Sequence, residues 1–268
     1  MSNTASEKIK ELHRLENEIY IIHYSCQTLG DGNEGLSPRI TSIAVLHLAS
    51  SSMHSFSIHL IAEVMGIKRD SIEDHYDKLE MEMLEEFYRF VKTIPSAIWL
   101  HWNMDNINYG FELLAHRYKV LTQKDAPTIP DSKRQNLSSL ILGIYGSKCV
   151  NDPKMENLMI LNSGKHRDFI NGKEEAAAFA AKEYVKLHKS TMCKVYWFKS
   201  MYHKLISHKI KTSKSNWKNK ISDFTDKPWV KLLGFIAVMI TIFQLFYFIF
   251  TLYKPKPDKL TPTEVLAH

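Results

Sequence analysis

The sequence predicts an α/β domain with a mixed sheet flanked by helices, followed by one C-terminal transmembrane helix. Three strand-like segments follow one another near the N-terminus, and helical segments then alternate with a further apolar strand, as in an α/β layer arrangement. Residues 232–253 form a run without any charge. With 268 residues, of which 44% are hydrophobic and 24% charged, the chain has room for one globular domain and such an appendage.

The first three predicted strands form an antiparallel meander. Residues 19–26 (IYIIHYSC) are nearly all apolar, which is typical of a buried strand. Residues 39–48 and 54–62 alternate apolar and polar side chains, as half-buried paired strands do.

An amphipathic helix is predicted over residues 71–93, with Ser71 as its N-cap. Its apolar face contains Leu79, Met83, Leu84, Phe87, Phe90 and Val91. Pro95 ends this element, and residues 97–104 are apolar enough for a central parallel strand. Helical composition predicts further helices over 108–121, 136–145 and 172–189.

The uncharged run from Leu232 to Tyr253 predicts a single membrane span. As a helix it would measure about 33 Å, enough to cross the hydrocarbon core of a bilayer. Trp229, Tyr247 and Tyr253 are residue types that favour the two membrane interfaces. A buried core helix is the alternative, but core helices rarely run this long without a polar stripe.

The positive charge lies outside the predicted domain, although the sequence pI is about 9.0. Residues 194–231 contain ten lysines and two acids, whereas residues 1–193 carry a net charge of about −3. A protein that grips nucleic acid through its globular face normally shows the opposite distribution. The excess of lysine before the span predicts a cytoplasmic N-terminal domain and a C-terminus outside, consistent with the lack of a signal-peptide pattern.

The chain is therefore predicted to have five parts. These are a helical or flexible segment (1–17), the α/β domain (18–190), a basic and partly amphipathic juxtamembrane linker (191–231), the transmembrane helix (232–253) and a short exported tail (254–268). The bilayer would contact 232–253, and anionic lipid headgroups would contact 194–231. For residues 195–221 a second interpretation stays open, in which a helix packs on the domain and a solvated tether follows.

Several common chemistries have no sequence support. Cys26, Cys149 and Cys193 lack the spacing of a disulfide framework or a zinc site. The thirteen histidines show no HExxH spacing, and no GxxxxGK[ST] or GxGxxG loop follows a strand. A nucleophilic role for Ser25 or Cys26 would need a base such as His166 and a strained nucleophile turn, which the sequence does not contain.

Three short stretches suggest where a site lies. The first strand ends in Ser25-Cys26-Gln27, and the helix FELL is preceded by DNINYG, residues 105–110. The third stretch is HRDFINGKEEAAAF, in which His166 is followed five residues later by Asn171. Together with the order of elements, these stretches resemble the ribonuclease H-like fold of the DEDD-type 3′–5′ exonucleases over about residues 18–190.

The resemblance implies a site from which the catalytic acids are missing. Ser25, Gln27, Gly110 and Asn171 stand at its four metal-ligand positions, and His166 stands at its general base. Two-metal hydrolysis needs carboxylates to hold and neutralise Mg²⁺ or Mn²⁺, and none of the four positions has one. The resemblance therefore implies a non-catalytic module without a metal cofactor, in which these residues converge on one cleft.

Nearby acids leave an alternative open. A displaced ligand set drawn from Asp31, Asp105, Asp168 and Glu174 could still hold Mg²⁺ or Mn²⁺. The simpler interpretation is that these acids are solvated in loops or that they complement the dipole of a helix N-terminus.

Three functions are compatible with the sequence. The first is a membrane-anchored, inactive exonuclease-like module that senses a nucleotide, a nucleic-acid end or a protein partner, and that oligomerises in a defence or stress response. The second is a membrane-tethered, metal-dependent 3′–5′ exonuclease with relocated ligands. The third is a protein-interaction adaptor.

Overall fold

The computed structural model describes residues 2–27, 37–106, 109–213 and 228–252. The chain divides into two compact units, residues 1–213 and residues 214–268.

The first unit is organised around a mixed five-stranded sheet. Its strands are β1 (Ile19–Cys26), β2 (Ile40–His47), β3 (Met53–Ser57), β4 (Ile98–His101) and β7 (Arg134–Asn136), in the order β3-β2-β1-β4-β7. β1, β2 and β3 are antiparallel neighbours, and β4 is parallel to both β1 and β7. Two short strands, β5 (Asp105–Asn106) and β6 (Tyr109–Gly110), pair with each other. The predicted α/β class, the meander and the parallel fourth strand are confirmed.

Eight helices surround this sheet in the described part of the unit. They are α1 (Ser2–Arg14), α2 (Ile58–Val64), α3 (Tyr76–Thr93), α4 (Phe111–Thr122), α5 (Leu137–Tyr145), α6 (Lys154–Asn162), α7 (Gly172–Ala180) and α8 (Tyr184–Ile206).

The sheet separates two apolar cores, because successive side chains of a strand point to opposite faces. Ile22 and Tyr24 of β1 pack in the core that contains α3 and the start of α8, whereas Ile19 and Ile21 pack in the core that contains α8 from Cys193 onward. The predicted apolar face of α3 lies in the first core, with Phe90 partly buried at its edge.

Two predictions for the first half of the unit are wrong in part. Residues 54–62 do not form one strand, because β3 ends at Ser57 and α2 begins at Ile58. Ile58, Ile61 and Ala62 repeat at helical spacing and are buried together, which favours a helix there. Ser71 does not cap α3: it lies in a 3₁₀ turn, and α3 begins at Tyr76.

The single helix predicted over 172–189 is two helices. α7 ends at Ala180, and Lys182 adopts the left-handed conformation with φ of 58°. The N–H of Glu183 donates to the carbonyl of Ala178 at 2.8 Å, and that of Lys182 to the carbonyl of Phe179 at 2.9 Å. This pair of bonds is a Schellman motif, which closes a helix and usually has glycine at the left-handed position.

The compact unit extends beyond the boundaries expected at residues 18 and 190. Ile9 and Leu12 of α1 are buried, and a side chain at Gly143 of α5 would meet the Cβ of Ala5 at 2.8 Å, so α1 and α5 pack closely. α8 runs on to Ile206 and packs against β1 and β2. Its buried residues after 194 include Trp197, Phe198, Met201, Tyr202 and Leu205.

For residues 195–206 the structure therefore favours the helix packed on the domain over the one lying on a membrane. Residues 214–227, the rest of the predicted linker, and the tail lie outside the described residues.

In the second unit the structure describes one helix, α9 (Pro228–Leu252). This helix of 25 residues is long and apolar enough to cross a membrane, and its apolar side chains are exposed. It includes all but the last residue of the run 232–253 from which the span was predicted.

Candidate functional site

The end of β1 is the first of the three stretches that the resemblance identifies. Ser25 is 2% exposed, and by strand alternation it shares a sheet face with His23, whose ring contacts Phe198 of α8. Among the described residues the Ser25 hydroxyl has no hydrogen-bond partner, while its carbonyl accepts a bond from the Thr41 hydroxyl at 3.0 Å. The register with β2 shifts between Ser25 and Cys26, so the strand is irregular at this point.

The second stretch packs beside this strand end. The Tyr109 ring stacks on Tyr24 with centroids 4.6 Å apart, and the Tyr109 hydroxyl donates to the carbonyl of Tyr24 at 3.2 Å. Burial raises the pKa of the Tyr24 hydroxyl, and the backbone N–H of Gly110 acts on it in the opposite direction. Gly110 therefore lies next to β1, and an aromatic pair covers the neighbouring backbone.

In the third stretch Asn171 serves as a helix cap. Its side-chain oxygen accepts a bond from the N–H of Glu174 at 3.0 Å, and the Glu174 carboxylate accepts one from the N–H of Asn171 at 2.7 Å. This reciprocal pair is a capping box, which satisfies the free N–H groups at the start of α7. The next residue, Glu175, accepts a bond from the ammonium of Lys194 on α8 at 2.6 Å.

We refer to these three stretches (Tyr24–Gln27, Tyr109–Gly110 and Asn171–Glu175) as the strand-end region. Glu175 acts electrostatically on both Cys26 and Tyr109, so the start of α7 lies near the first two stretches. Among the described residues, no hydrogen bond or ion pair joins Asn171 or His166 to Ser25 or Gln27. The convergence of all five residues on one cleft stays a prediction.

The thiol of Cys26 is not activated. Burial, followed by the charges of Glu175 and Glu80, raises its pKa to about 12. Because the thiolate is the nucleophilic form, Cys26 is inert near neutral pH.

The acids of the alternative ligand set have separate partners. Asp105 accepts a bond from Asn136 at 2.6 Å and lies 3.2 Å from Nε2 of His101. Asp168 lies 3.7 Å from His166 and 3.6 Å from Arg167, and Glu174 is part of the capping box. Asp31 lies outside the described residues. Within the described ranges, no group of three or more His, Cys, Asp or Glu side chains is arranged to hold a metal ion.

Two adjoining pockets lie on the outer side of α8. The first, which we call the basic pocket, has a volume of about 550 Å³. It is lined by His59, Arg69, Ile72, Arg167, Asp168, Ile170, Lys182, Glu183, Tyr184, Val185, Lys186 and Lys189. Five basic side chains thus face two acidic ones, and the amino end of α8 adds its positive dipole.

Two lysines of the basic pocket are left without an acidic partner. Lys186 pairs with Glu183 at 2.7 Å, and Arg69 pairs with Glu63 at 2.9 Å. In the part of the chain that the structure describes, Lys182 and Lys189 form no ion pair and no side-chain hydrogen bond. These ammonium groups are available to an anion.

The second pocket, which we call the apolar pocket, has a volume of about 640 Å³. It is lined by Met159, Ser163, Gly164, His166, Arg167, Asp168, Lys189, Met192, Cys193, Tyr196, Trp197 and Ser200. Tyr196 is 51% exposed, so half of its surface is open to a ligand in this pocket. His166 thus lines a pocket to which no residue of β1 contributes.

These pockets were not predicted from the sequence, although the spacing of three lysines indicates them. Lys182, Lys186 and Lys189 recur at spacings of four and three, which places lysines on one side of a helix. The stronger concentration of lysine after residue 194 drew attention to the linker instead.

No family model, curated protein or solved structure matches this chain. The candidate site is therefore inferred from the residues of this chain alone.

Proposed function

We propose that this chain is a membrane-anchored, non-catalytic module of ribonuclease H-like, exonuclease-type build that binds a ligand at the cytoplasmic face of the membrane. A three-strand meander followed by a helix, a parallel strand and a helix supports this build, because the resemblance rests on that order. The exposed apolar helix α9 supports the anchor. The excess of lysine before the span supports the cytoplasmic orientation.

The capping box of α7 is the observation that carries the non-catalytic assignment. Asn171 stands where the exonuclease pattern has a metal-binding acid, and Glu174 is one of the two acids nearest to it in sequence, the other being Asp168. Both side chains bond to each other's backbone at the start of α7. The capping box explains why Asn171 and Glu174 stand at these positions, so neither residue needs a catalytic role.

The remaining positions support the same assignment. Ser25 is buried and neutral, and Gly110 has no side chain to offer. A pair of divalent cations would meet no anionic oxygen from these positions.

A nuclease assay on the full chain in detergent tests this proposal. The full chain is needed because α8 and its buried contacts continue to Ile206. We expect no release of mononucleotides from single-stranded DNA or RNA with either Mg²⁺ or Mn²⁺. Mn²⁺-dependent release that is lost in Asp105→Asn or Asp168→Asn, but kept in the exposed control Asp74→Asn, would establish the relocated exonuclease instead.

The class of ligand can be read from the purified protein. Mass spectrometry of material that co-purifies in detergent would detect a bound nucleotide or oligonucleotide. A stoichiometric protein without any nucleotide would favour the adaptor function over the sensor.

A further inference from the structure

We propose that the basic pocket and the apolar pocket form one binding site for a nucleoside phosphate, with the phosphates in the basic pocket and the base in the apolar pocket. This inference rests on the proposed ligand-binding function and specifies its ligand class. It places the ligand on the outer side of α8, away from the strand-end region.

The two pockets adjoin each other. Arg167, Asp168 and Lys189 line both of them, so a ligand can extend from one to the other past these three side chains. Each volume, about 550 Å³ and about 640 Å³, lies within the range of small-molecule sites. A nucleoside phosphate has an anionic part that suits the basic pocket and a flat, largely apolar base that suits the apolar pocket.

The charge of the basic pocket is local. Residues 1–193 carry a net charge of about −3, yet five basic side chains line this one cavity. Lys182 and Lys189 have no acidic partner in the described structure, and Lys189 lies where the two pockets meet. Phosphate oxygens would supply the missing counter-charge.

Lys182 also occupies a conformation that a lysine rarely adopts. It holds the left-handed position of the Schellman motif, where glycine is usual and a side chain adds strain. Strain of this kind concentrates at functional sites. Gln123 and His208 adopt the same conformation after α4 and α8, but Lys182 is the one of the three that lines the basic pocket.

The apolar pocket fits a nucleobase better than a lipid chain. Tyr196 presents a half-exposed ring on which a base can stack, and Met159 and Met192 add apolar surface. His166, Ser163 and Ser200 line the same pocket and can hydrogen-bond to the edge of a base. An acyl chain would form no hydrogen bond with any of these three side chains.

Calorimetric titration of the full chain in detergent micelles tests the inference. The probes are ATP, GTP, inorganic triphosphate and adenosine, each with EDTA present. We expect a nucleoside triphosphate to bind more tightly than either triphosphate or adenosine alone. We expect Lys189→Glu to weaken its binding about 10- to 100-fold and Tyr196→Ala about tenfold or more, with no change for the exposed control Lys92→Glu.

The variant Lys182→Gly distinguishes a loss of nucleotide binding from a loss of stability. Glycine suits the left-handed position, so we expect this variant to bind the nucleotide more weakly while its melting temperature stays the same or rises. Weaker binding with a lower melting temperature would contradict this assignment of Lys182.

Three results would overturn the inference. The first is the absence of nucleotide binding, and the second is equal affinity for inorganic triphosphate and for the nucleotide. The third is that lysophosphatidic acid displaces a bound nucleotide and that this displacement is the same in Tyr196→Ala. The same samples are assayed for release of mononucleotides from an oligonucleotide. Absence of nucleotide binding without such release rejects only the nucleotide site, whereas Mn²⁺-dependent release rejects the non-catalytic function.

Discussion

The strand-end region and the two pockets on α8 lie on the same domain but differ in almost every physical property. At the strand end Tyr24 and Ser25 are buried, and the polar groups of Asn171, Glu174 and Glu175 bond within the protein. At the pockets the side chains are mostly exposed, and Lys182 and Lys189 have no partner in the described structure. A region whose polar groups bond to one another stabilises the fold, while a region with unpaired charges is ready for a ligand.

This difference separates the stretches that carry the resemblance from the region that carries the proposed binding role. The motifs that resemble exonucleases direct attention to the strand end, where the acids needed for chemistry are absent. The unpaired lysines indicate a binding site on α8, where the sequence contains no recognised motif. In our account the strand end has a structural role and the pockets have the binding role.

The largest expected effect comes from the ion pair between Glu175 and Lys194. Lys194 is 4% exposed and Glu175 18%, so Glu175→Gln leaves a buried ammonium without its counter-charge. We expect a loss of about 3–5 kcal/mol in the free energy of unfolding, measured by urea denaturation. Nucleotide binding by the folded fraction should be unchanged.

The exposed pair Lys186–Glu183 provides the control for this prediction. Its side chains are 52% and 46% exposed, so Glu183→Gln should cost about 1 kcal/mol or less. Equal costs for the two glutamate variants would contradict a structural role for the strand-end pair.

A smaller effect should follow from pH at the inner face of α8. Burial, and then the nearby His59, lowers the pKa of His188 to about 4, and its Nδ1 lies 2.7 Å from the Ser42 hydroxyl. The unfolded chain takes up a proton below its ordinary pKa near 6.5, while the folded chain does not. Stability is therefore lost as pH falls, by about 2 kcal/mol between pH 7 and pH 5 for this residue.

Urea denaturation at both pH values measures this term. In His188→Gln the free energy of unfolding should fall less steeply with pH than in the unchanged chain. The reason is that the unfolded variant has one histidine fewer to take up a proton. Parallel pH profiles for the two proteins would show that His188 is not held neutral by burial.

The smallest effect concerns the cap of α7. Asn171→Ala removes the acceptor for the N–H of Glu174 and should cost about 1 kcal/mol. Asn171→Asp should leave stability nearly unchanged, because Asp and Asn cap helices about equally well. Thermal melts with and without Mn²⁺ measure both. A Mn²⁺-dependent rise in the melting temperature of Asn171→Asp alone would show that the neighbouring oxygens form a metal site.

The sequence predicted most of the sheet because the relevant signals are local. The strand at residues 19–26 is bounded as predicted, since a run of eight nearly apolar residues rich in isoleucine and tyrosine has the length and composition of a buried strand. The chain from 54 to 62 was harder, because its alternating pattern changes to helical spacing after Ser57. The break at Lys182 was not predicted, because lysine takes the position where glycine would have marked the helix end.

The candidate site was predictable only where motifs mark it. Ser25, Gly110 and Asn171 could be named because they align with a known pattern. The pockets arise where residues 159–170 meet α8, and such long-range packing leaves little trace in one sequence. The exposed ring of Tyr196 and the unpaired ammonium of Lys189 acquire meaning only once their neighbours are known.

Hydrogen–deuterium exchange of the full chain in detergent, with and without ATP, tests the central claim most directly. The account predicts slower exchange on addition of ATP in residues 163–170 and 181–186, which border the pockets, and unchanged exchange in residues 24–27 and 109–110. Slower exchange confined to the strand end would contradict it, because the ligand would then occupy the strand-end region and not the pockets.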